Sequence, residues 1–244
     1  MPLLFTRHIT LLQDTPDEQS FTFGVWQIAE NEAYFREDLP LRPDEENDLA
    51  RYKGIRRLEW LAGRWLLHKL TGSVERLPLG KNAFAKPFFL DRPELHCSLS
   101  HSHGIVGAML ADCVCGCDLQ VLVEKMPRLA AKFLHVEEEA FLQPFNSADQ
   151  FDLMHVFWTA KESLYKAYGL KELDFRGHLR LEPFPWSGFT AETTGWIQKD
   201  TLRQAYRMYF EKTELPSTSG AFVWTACTSI TKDPPLSSPF SPEL

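Results

Sequence analysis

The residues of this chain with the clearest chemical potential lie in the segment 158–166, whose sequence is WTAKESLYK. Glu162 and Lys166 are four residues apart and therefore share one face of a helix. On a solvated surface they would form a salt bridge of about 0.3–0.5 kcal/mol. Trp158 lies on the same side and apolar residues flank the segment, which indicates a largely buried helix whose charges need partners. A bound metal ion with a phosphate ligand would supply them.

A second group of polar residues lies in the strand-like segment 114–123. Because side chains alternate along a strand, the residues of this region divide between two faces. One face carries Cys113, Cys115 and Cys117, and the other carries Gly116, Asp118 and Gln120. The cysteines lack the fourth ligand and the spacing of a zinc site, so we interpret them as small buried hydrophobic residues. Asp118 is either a surface acid near a turn or a metal ligand.

Basic and hydroxyl side chains elsewhere in the chain could bind an anion. His101 lies between Ser100 and Ser102 at a predicted strand end, where an imidazole and a hydroxyl can approach an oxyanion, although a loop histidine can equally be solvated. Lys86 precedes an apolar run and could be an ordinary surface lysine. Three arginines can gather on one side of a helix, either as a charged outer face or as guanidinium groups for phosphate. They are Arg56, Arg57 and Arg64.

The hydrophobic pattern of the first half predicts the elements that position these residues. A strand is predicted over 21–29, and a helical pattern runs from Pro43 to about Leu70, with Gly72 as its stop. Three further strands are predicted over 97–100, 105–110 and 114–123. Together these three strands would form a small antiparallel meander.

The second half repeats this order of elements. One or two short helices are predicted over 127–143, and a long helix over 148–168 ends at Gly169. Four strand patterns follow, at 178–182, 188–194, 205–211 and 221–230. Strands and helices are segregated, which favours an α+β fold over a doubly wound parallel sheet.

The repeated order predicts two similar lobes related by a pseudo-two-fold axis, each an antiparallel sheet packed with a long helix. We expect an N-terminal lobe over 1–113 and a C-terminal lobe over 114–232. The last residues, 233–244, are rich in proline and serine and are expected to be disordered.

Composition limits the classes of protein to which the chain can belong. Its 244 residues are 44% hydrophobic and 24% charged, as in ordinary globular proteins. The net charge of −7 argues against a nucleic-acid partner. With no apolar stretch of about 20 residues and no apolar leader, we expect a cytoplasmic protein without a membrane partner. The five cysteines, an odd number, are expected to be reduced thiols.

Four short motifs occur in order and resemble a known family. They are Lys86-Pro87, the SLSHS of 98–102, the CGCDLQ of 115–120 and the WTAKESLYK of 158–166. This series resembles the 4′-phosphopantetheinyl transferase superfamily, specifically the monomeric surfactin-synthetase-activating type, over about residues 56–170. The family pattern is Gly-Lys-Pro, Asn-x-Ser-His-Ser, Gly-x-Asp-x-Glu and Trp-x-x-Lys-Glu-x-x-x-Lys.

The resemblance implies a set of site residues in a cleft between two α+β lobes. Asp118 and Glu162 would be acidic ligands of Mg²⁺, with Mn²⁺ as an alternative, and Gln120 would stand in the third ligand position. The residues that would hold coenzyme A are Lys86, Ser100, His101 and Lys161, with Arg56, Arg57 and Arg64 as looser candidates for its 3′-phosphate. Lys166 would lie near the pyrophosphate.

The same resemblance implies a holo-[acyl-carrier-protein] synthase type of activity. The enzyme would transfer 4′-phosphopantetheine from coenzyme A to a serine of an apo acyl or peptidyl carrier protein and release 3′,5′-adenosine bisphosphate. The catalytic residues implied are Asp118, Glu162 and Lys166. Glu162, or a metal-bound water beside it, would be the base, and Lys166 the acid or electrostatic partner.

Three departures from the family pattern keep two other functions open. They are Ala85 for the glycine, Cys97-Ser98 for the asparagine-bearing strand end, and Gln120 for the glutamate. Only Gln120 touches the expected metal position. A non-catalytic homologue that binds coenzyme A or a carrier protein and regulates or scaffolds is therefore one alternative, and a metal-dependent nucleotide hydrolase is another.

Overall fold

The computed structural model describes residues 3–11, 19–216 and 220–230. The predicted disordered tail, 233–244, lies outside these residues. The strands are β1 (Leu3–Leu11), β2 (Gln19–Gln27), β3 (Leu79–Lys81), β4 (Pro87–Phe89), β5 (His96–Ser102), β6 (Ile105–Ala111), β7 (Cys115–Val121), β8 (Leu179–Leu181), β9 (Thr190–Lys199), β10 (Leu202–Glu214) and β11 (Ala221–Ser229). The helices are α1 (Glu32–Glu37), α2 (Pro43–Leu49), α3 (Gly54–Thr71), α4 (Met126–Leu129), α5 (Val136–Leu142) and α6 (Ser147–Tyr168).

Two antiparallel sheets carry the fold. The first has the order β1-β2-β6-β5 and the second the order β7-β11-β10-β9-β8, while β3 and β4 form a separate two-stranded ribbon. Helix α3 packs on the first sheet, where a Cβ on Gly24 would lie 3.2 Å from Leu66. Helix α6 packs on the second sheet so closely that a Cβ on Gly116 would lie 2.1 Å from the Ser163 carbonyl oxygen. Only glycine therefore fits at position 116.

The inner faces of the two sheets share a hydrophobic core. Residues of β2, β6, β7 and β11 form one buried cluster, in which the rings of Phe23 and Trp224 stack with centroids 4.4 Å apart. Cys115 and Cys117 are fully buried in this cluster. The molecule is thus layered as helix, sheet, sheet and helix, with a buried core between each pair of layers.

A ladder of serine hydroxyls joins the edges of the two sheets. The Oγ atoms of Ser98, Ser100 and Ser102 on β5 accept backbone N–H groups of β7. The donors are the nitrogens of Cys117, Leu119 and Val121, at 3.0, 3.1 and 3.2 Å. Alternate residues of a strand point to the same side, so one run of three serines can satisfy three outward N–H groups of the neighbouring edge.

Much of the predicted element order is confirmed. The long helix over 148–168 is α6, and Gly169 ends it with a φ of 69°. The strands predicted over 97–100 and 105–110 are β5 and β6. The α+β class is confirmed, whereas the pseudo-two-fold relation and the division into 1–113 and 114–232 remain predictions.

Two predictions about the first half were wrong. The helical pattern from Pro43 to Leu70 is broken into α2 and α3, because Lys53 is extended and Gly54 has a φ of 53°. The strand predicted over 114–123 does not complete a meander with β5 and β6, since β7 pairs with β11 in the other sheet. Strand β1 was not predicted.

None of the helices in the described ranges is both long and apolar enough to span a bilayer.

Candidate functional site

A cleft of about 520 Å³ opens beside the serine ladder. Helices α3 and α6 and strands β5 and β7 contribute its polar walls. Its lining includes Arg56, Glu59, Arg64, Ser100, His101, Asp118, Gln120, Glu162 and Lys166. The structure therefore brings together eight of the eleven side chains predicted to do chemistry, and Glu59 and Leu119 lie beside them.

Asp118 on β7 is fixed through one of its two carboxylate oxygens. Its Oδ1 accepts hydrogen bonds from Ser100 Oγ at 2.6 Å and from Lys166 Nζ at 2.7 Å. The side chain is nearly buried. With Oδ1 taken by both donors, Oδ2 is the oxygen that a ligand in the cleft can use.

Lys166 on α6 spans the junction between the sheets. Its Nζ donates to the carbonyl oxygens of Leu99 on β5 and Cys117 on β7, at 3.2 and 3.0 Å, as well as to Asp118. Burial lowers the pKa of Lys166, but Asp118 and the other anionic groups outweigh it and the net shift is upward. The lysine is therefore a permanent cation, and all three of its N–H donors are engaged in the free protein.

Glu162 lies one helical turn before Lys166 and faces the same cleft. No residue of the described part of the chain forms an ion pair or hydrogen bond with its carboxylate. Burial, and then the negative charge of Asp118, raise the pKa of Glu162 to about 7, and Lys166 offsets only part of this. A cation placed between Glu162 and Asp118 would relieve both effects.

Gln120 on β7 presents an amide whose orientation is determined by its partners. Its Nε2 donates to Val121 O at 2.9 Å and to Ser102 Oγ at 3.2 Å. Because a carbonyl oxygen can only accept, the atom near Val121 O must be the amide nitrogen. The amide oxygen is then the atom left for a ligand in the cleft.

These three side chains fit a hard divalent cation. Among the described residues no group of three or more His, Cys, Asp and Glu side chains is arranged to hold a metal. The cleft instead offers two carboxylates and an amide oxygen, which suits Mg²⁺ when phosphate oxygens and water complete its shell. The uncompensated charge of Glu162 is the feature that such an ion would explain.

His101, at the end of β5, borders the cleft with its side chain 39% exposed. Burial, Arg56 and Lys166 together lower its pKa to about 4, so the ring is neutral at pH 7 in the free protein. The cationic character expected of this histidine therefore requires protonation when an anion binds.

Two of the three candidate arginines lie on the cleft wall. The Arg64 guanidinium lies over the Trp60 ring at 3.5 Å from its centroid, and burial lowers its pKa to about 10. Arg56 lies 3.6 Å from Glu59 and stacks over Tyr52. Arg57 is turned away, because it forms hydrogen bonds to Glu32 at 2.6 and 2.8 Å.

The structure places Lys161 outside the cleft, in contrast to the expectation from its motif. Its side chain is 0% exposed, and Nζ donates to Glu138 at 2.6 Å. It also donates to Phe133 O and Phe175 O, at 2.6 and 3.0 Å. On a helix, adjacent residues point about 100° apart, so Lys161 cannot share the cleft face of Glu162.

Lys86 also points away from the expected cofactor position. Its Nζ donates to Ala167 O at 2.5 Å, in the last turn of α6. Burial lowers the pKa of Lys86. Its neighbours Ala85 and Pro87 line the cleft, so the motif borders the site through these residues while the lysine caps a helix end.

The cysteines behave as predicted. All five are buried and form no disulfides. Burial raises the pKa of the Cys97, Cys115, Cys117 and Cys227 thiols, which makes them unreactive.

Comparison with known proteins shows that part of this cleft lies in a segment similar to a known family. Residues 114–225, which include Asp118, Gln120, Glu162 and Lys166, match the family model of the 4′-phosphopantetheinyl transferase superfamily. Over these residues the chain is similar to that superfamily. The resemblance seen in the sequence motifs is confirmed.

Named relatives carry the same description. The chain is similar to the 4′-phosphopantetheinyl transferase AcpT of Salmonella typhimurium, with 30% identity over 120 residues, or 48% of this chain and 62% of the relative. It is 31% identical over 123 residues to AcpT of Escherichia coli K12, covering 48% and 60%. It is 31% identical over 111 residues to the 4′-phosphopantetheinyl transferase gsp of Aneurinibacillus migulanus, covering 46% of each. The matched segment spans less than two thirds of each of these relatives.

Sequence reasoning missed two parts of the site. Glu59, on α3, lines the cleft and is nearly buried. Nothing in the sequence around Glu59 indicated this position. The alternation of Ser98, Ser100 and Ser102 could have indicated a shared role for all three hydroxyls, since a strand directs them to one side.

Proposed function

We propose that this chain is a phosphopantetheinyl transferase that uses coenzyme A and a divalent cation, with Mg²⁺ preferred and Mn²⁺ accepted. It moves the 4′-phosphopantetheine group to a serine of an apo acyl or peptidyl carrier protein and releases 3′,5′-adenosine bisphosphate. The observation that carries the proposal is the pair of carboxylates, Asp118 and Glu162, on one cleft within the family-matched segment. The high pKa of Glu162 supports it.

Asp118 Oδ2, the Glu162 carboxylate and the Gln120 amide oxygen would hold the cation. When bound, the ion neutralises negative charge on the pyrophosphate, which is a main contribution to catalysis of phosphoryl transfer. Ser100 and Lys166 keep Asp118 in place through its other oxygen. The protein side of the site is thus preorganised before the substrate arrives.

The chain's own residues account for the proton and the charge in the reaction. The carrier serine oxygen forms a bond to the β-phosphorus of coenzyme A, and the bond from that phosphorus to the bridging oxygen breaks. The electron pair leaves with 3′,5′-adenosine bisphosphate, and the serine proton goes to the Glu162 carboxylate. Beside the cation the Glu162 carboxylate is ionised and can accept this proton. Lys166 supplies the fixed positive charge nearest to the acids.

The substrate phosphates would be held mainly from the α3 side. Arg56, Arg64 and His101 line the cleft and can reach an anion there. The engaged side chains of Lys86, Lys161 and Arg57 support the walls instead. Guanidinium groups suit phosphate oxygens because they present two parallel N–H donors.

A second function, binding of coenzyme A or a carrier protein without transfer, is favoured by one observation. Gln120 brings no negative charge to the metal position, and its amide nitrogen is held by Val121 O and Ser102. We place this function second, because Asp118, Glu162 and Lys166 line one cleft, as the transfer reaction would require.

Mass spectrometry of apo-carrier proteins after incubation with coenzyme A and Mg²⁺ tests the proposal. A panel of fatty-acid, polyketide and peptide-synthetase carriers should include one that gains the mass of phosphopantetheine, and Glu162→Gln should give no product. Binding of coenzyme A with no modified carrier favours the non-catalytic function. Release of 3′,5′-adenosine bisphosphate without any carrier indicates a hydrolase.

The proposed enzyme acts in the cytoplasm as a monomer built of two lobes, 1–113 and 114–232. Sedimentation analysis at the concentration of the transfer assay tests the oligomeric state, and a dimer would contradict it.

A further inference from the structure

Glu59 on α3 places a nearly buried carboxylate beside the cleft. Its side chain is 6% exposed. Oε1 accepts the backbone N–H of Gly104 at 2.9 Å, and Oε2 lies 3.0 Å from His101 Nδ1. Arg56 Nη1 lies 3.6 Å from the same Oε2. One carboxylate therefore links the α3 wall to the turn between β5 and β6.

A carboxylate in this place calls for an explanation. A cleft that takes a pyrophosphate gains nothing from a negative charge on its wall, and burial of an acid is unfavourable unless it is partnered. Both oxygens of Glu59 have positive or N–H groups as their neighbours. The carboxylate thus acts on its neighbours and not on the substrate.

The contact with Glu59 determines which nitrogen of His101 carries the hydrogen. Two acceptor atoms repel each other at 3.0 Å, so Nδ1 must bear a hydrogen where it faces Oε2. In a neutral imidazole the other nitrogen, Nε2, then has the lone pair. His101 lines the cleft, so Nε2 is the atom available to a bound group.

We propose that Glu59 is a positioning residue that holds His101 in the Nδ1–H form and stabilises the imidazolium formed when a phosphate group binds. The proton goes from solvent to Nε2, which then donates it in a hydrogen bond to a phosphate oxygen. This inference rests on the proposed function for the identity of the ligand, a pyrophosphate-bearing nucleotide. The His101 ring would thus be neutral in the free protein and cationic in the complex.

The charges around His101 are consistent with a ring that is neutral in the free protein and protonated when a phosphate group binds. Arg56 and Glu59 face it from α3, and Lys166 acts on it from α6. Burial and the two cations keep the pKa of the free histidine near 4. A bound phosphate would cancel the effect of Arg56 and Lys166, and Glu59 would then be the anion that favours the charged ring.

Nitrogen-15 NMR of the histidine rings in the free protein tests the positioning role. In wild type we expect His101 as the Nδ1–H tautomer, with its signal assigned by loss in His101→Asn. In Glu59→Gln the amide oxygen must stay with Gly104 N, so the amide NH₂ faces the ring and the hydrogen moves to Nε2. Glu137→Gln is the matched control, because Glu137 lies 3.6 Å from His135 Nδ1 on the surface, far along the chain from the cleft. It should leave His101 unchanged.

Calorimetry with coenzyme A in two buffers of different ionisation enthalpy tests the proton. Near pH 7 wild type should take up close to one proton on binding, and Glu59→Gln distinctly less. The dissociation constant of Glu59→Gln should rise by about tenfold, the loss of one charge-assisted hydrogen bond.

Each outcome decides one of the two proposals. An Nε2–H tautomer in wild type, or an unchanged tautomer in Glu59→Gln, overturns the positioning role, as does equal proton uptake in both proteins. Failure of wild type to bind coenzyme A overturns the proposed function instead, and the tautomer then decides the role of Glu59 without any ligand.

Discussion

The hydroxyl of Ser100 on β5 donates to Asp118 Oδ1 on β7 at 2.6 Å, so a residue of one sheet fixes an acid of the other. The same hydroxyl accepts the N–H of Leu119. The position of the Asp118 carboxylate therefore depends on the junction between the sheets as well as on β7 itself.

Ser100→Ala should reduce both stability and transfer. It leaves the Leu119 N–H without its acceptor, which costs about 1–3 kcal/mol in the free energy of unfolding. It also releases Asp118, and we expect transfer to fall by about tenfold, or ~1.4 kcal/mol of barrier. Ser98→Ala is the matched control, because it removes the acceptor of the Cys117 N–H but does not touch Asp118. Urea unfolding should show similar losses for both variants. Equal transfer rates in the two variants would contradict a positioning role for Ser100.

The metal-free protein should become less stable as the pH rises through the pKa of Glu162. This pKa is raised to about 7 in the folded protein, against about 4.5 in the unfolded chain. Between these two values the folded state binds more protons than the unfolded state. The contribution of Glu162 to stability is therefore greatest below about pH 4.5 and is lost as the pH rises through about 7. Glu162→Gln should remove this dependence. Thermal unfolding across this pH range with a chelator present measures it, and parallel curves for the two proteins would rule it out.

Metal affinity should depend strongly on coenzyme A. Asp118 and Glu162 bring two negative charges and Gln120 none, so tight binding needs the phosphate oxygens of the substrate. Titration of Mn²⁺ should give an affinity about tenfold or more higher in the loaded protein, a difference of ~1.4 kcal/mol. Equal Mn²⁺ affinities in the free and the coenzyme A-loaded protein would contradict this prediction.

Gln120→Glu should tighten metal binding in the free protein and lower its stability. The carboxylate cannot donate to Val121 O or to Ser102, so about 1–3 kcal/mol of unfolding free energy should be lost in the absence of metal. Gln204→Glu, at a buried glutamine of β10, should also destabilise but leave metal affinity as in wild type. Transfer found only in Gln120→Glu would show that the natural chain is not an enzyme.

Lys161→Ala should affect folding and not cofactor affinity. It leaves the Glu138 carboxylate buried without its cation, at a cost of about 3–5 kcal/mol. Lys212→Ala breaks a more exposed pair with Asp152 and should cost about 1 kcal/mol. If Lys161→Ala does not fold, the double variant Lys161→Met with Glu138→Gln removes both charges, keeps an amide oxygen as a backbone acceptor and should recover part of the stability. A folded Lys161 variant with much weaker coenzyme A binding would show that Lys161 contributes to the coenzyme A site.

The shared faces of the cleft residues on β7 and α6 could be predicted from the sequence, because regular geometry fixes where their side chains point. The alternation of β7 puts Asp118 and Gln120 on one side, and the four-residue spacing on α6 puts Glu162 beside Lys166. Both relations hold within a single element, and the structure brings all four side chains to one cleft.

The roles of Lys86 and Lys161 could not be predicted, because they depend on distant partners. Lys86 reaches a carbonyl 81 residues away, and Lys161 pairs with an acid 23 residues before it. A motif shows that a lysine is present, but a long flexible side chain can turn to whichever partner the fold supplies. Assignment of β7 to the second sheet likewise depends on β11, more than a hundred residues later.

The serine ladder also protects the protein from association with other copies. Strand β7 is the outer strand of its sheet, and the unpaired N–H groups of such a strand can template the addition of a foreign strand. The hydroxyls on β5 already occupy the N–H groups of Cys117, Leu119 and Val121. An intruding strand would have to displace three hydrogen bonds at once, two of them buried, so the contact beside the cleft also blocks a route to aggregation.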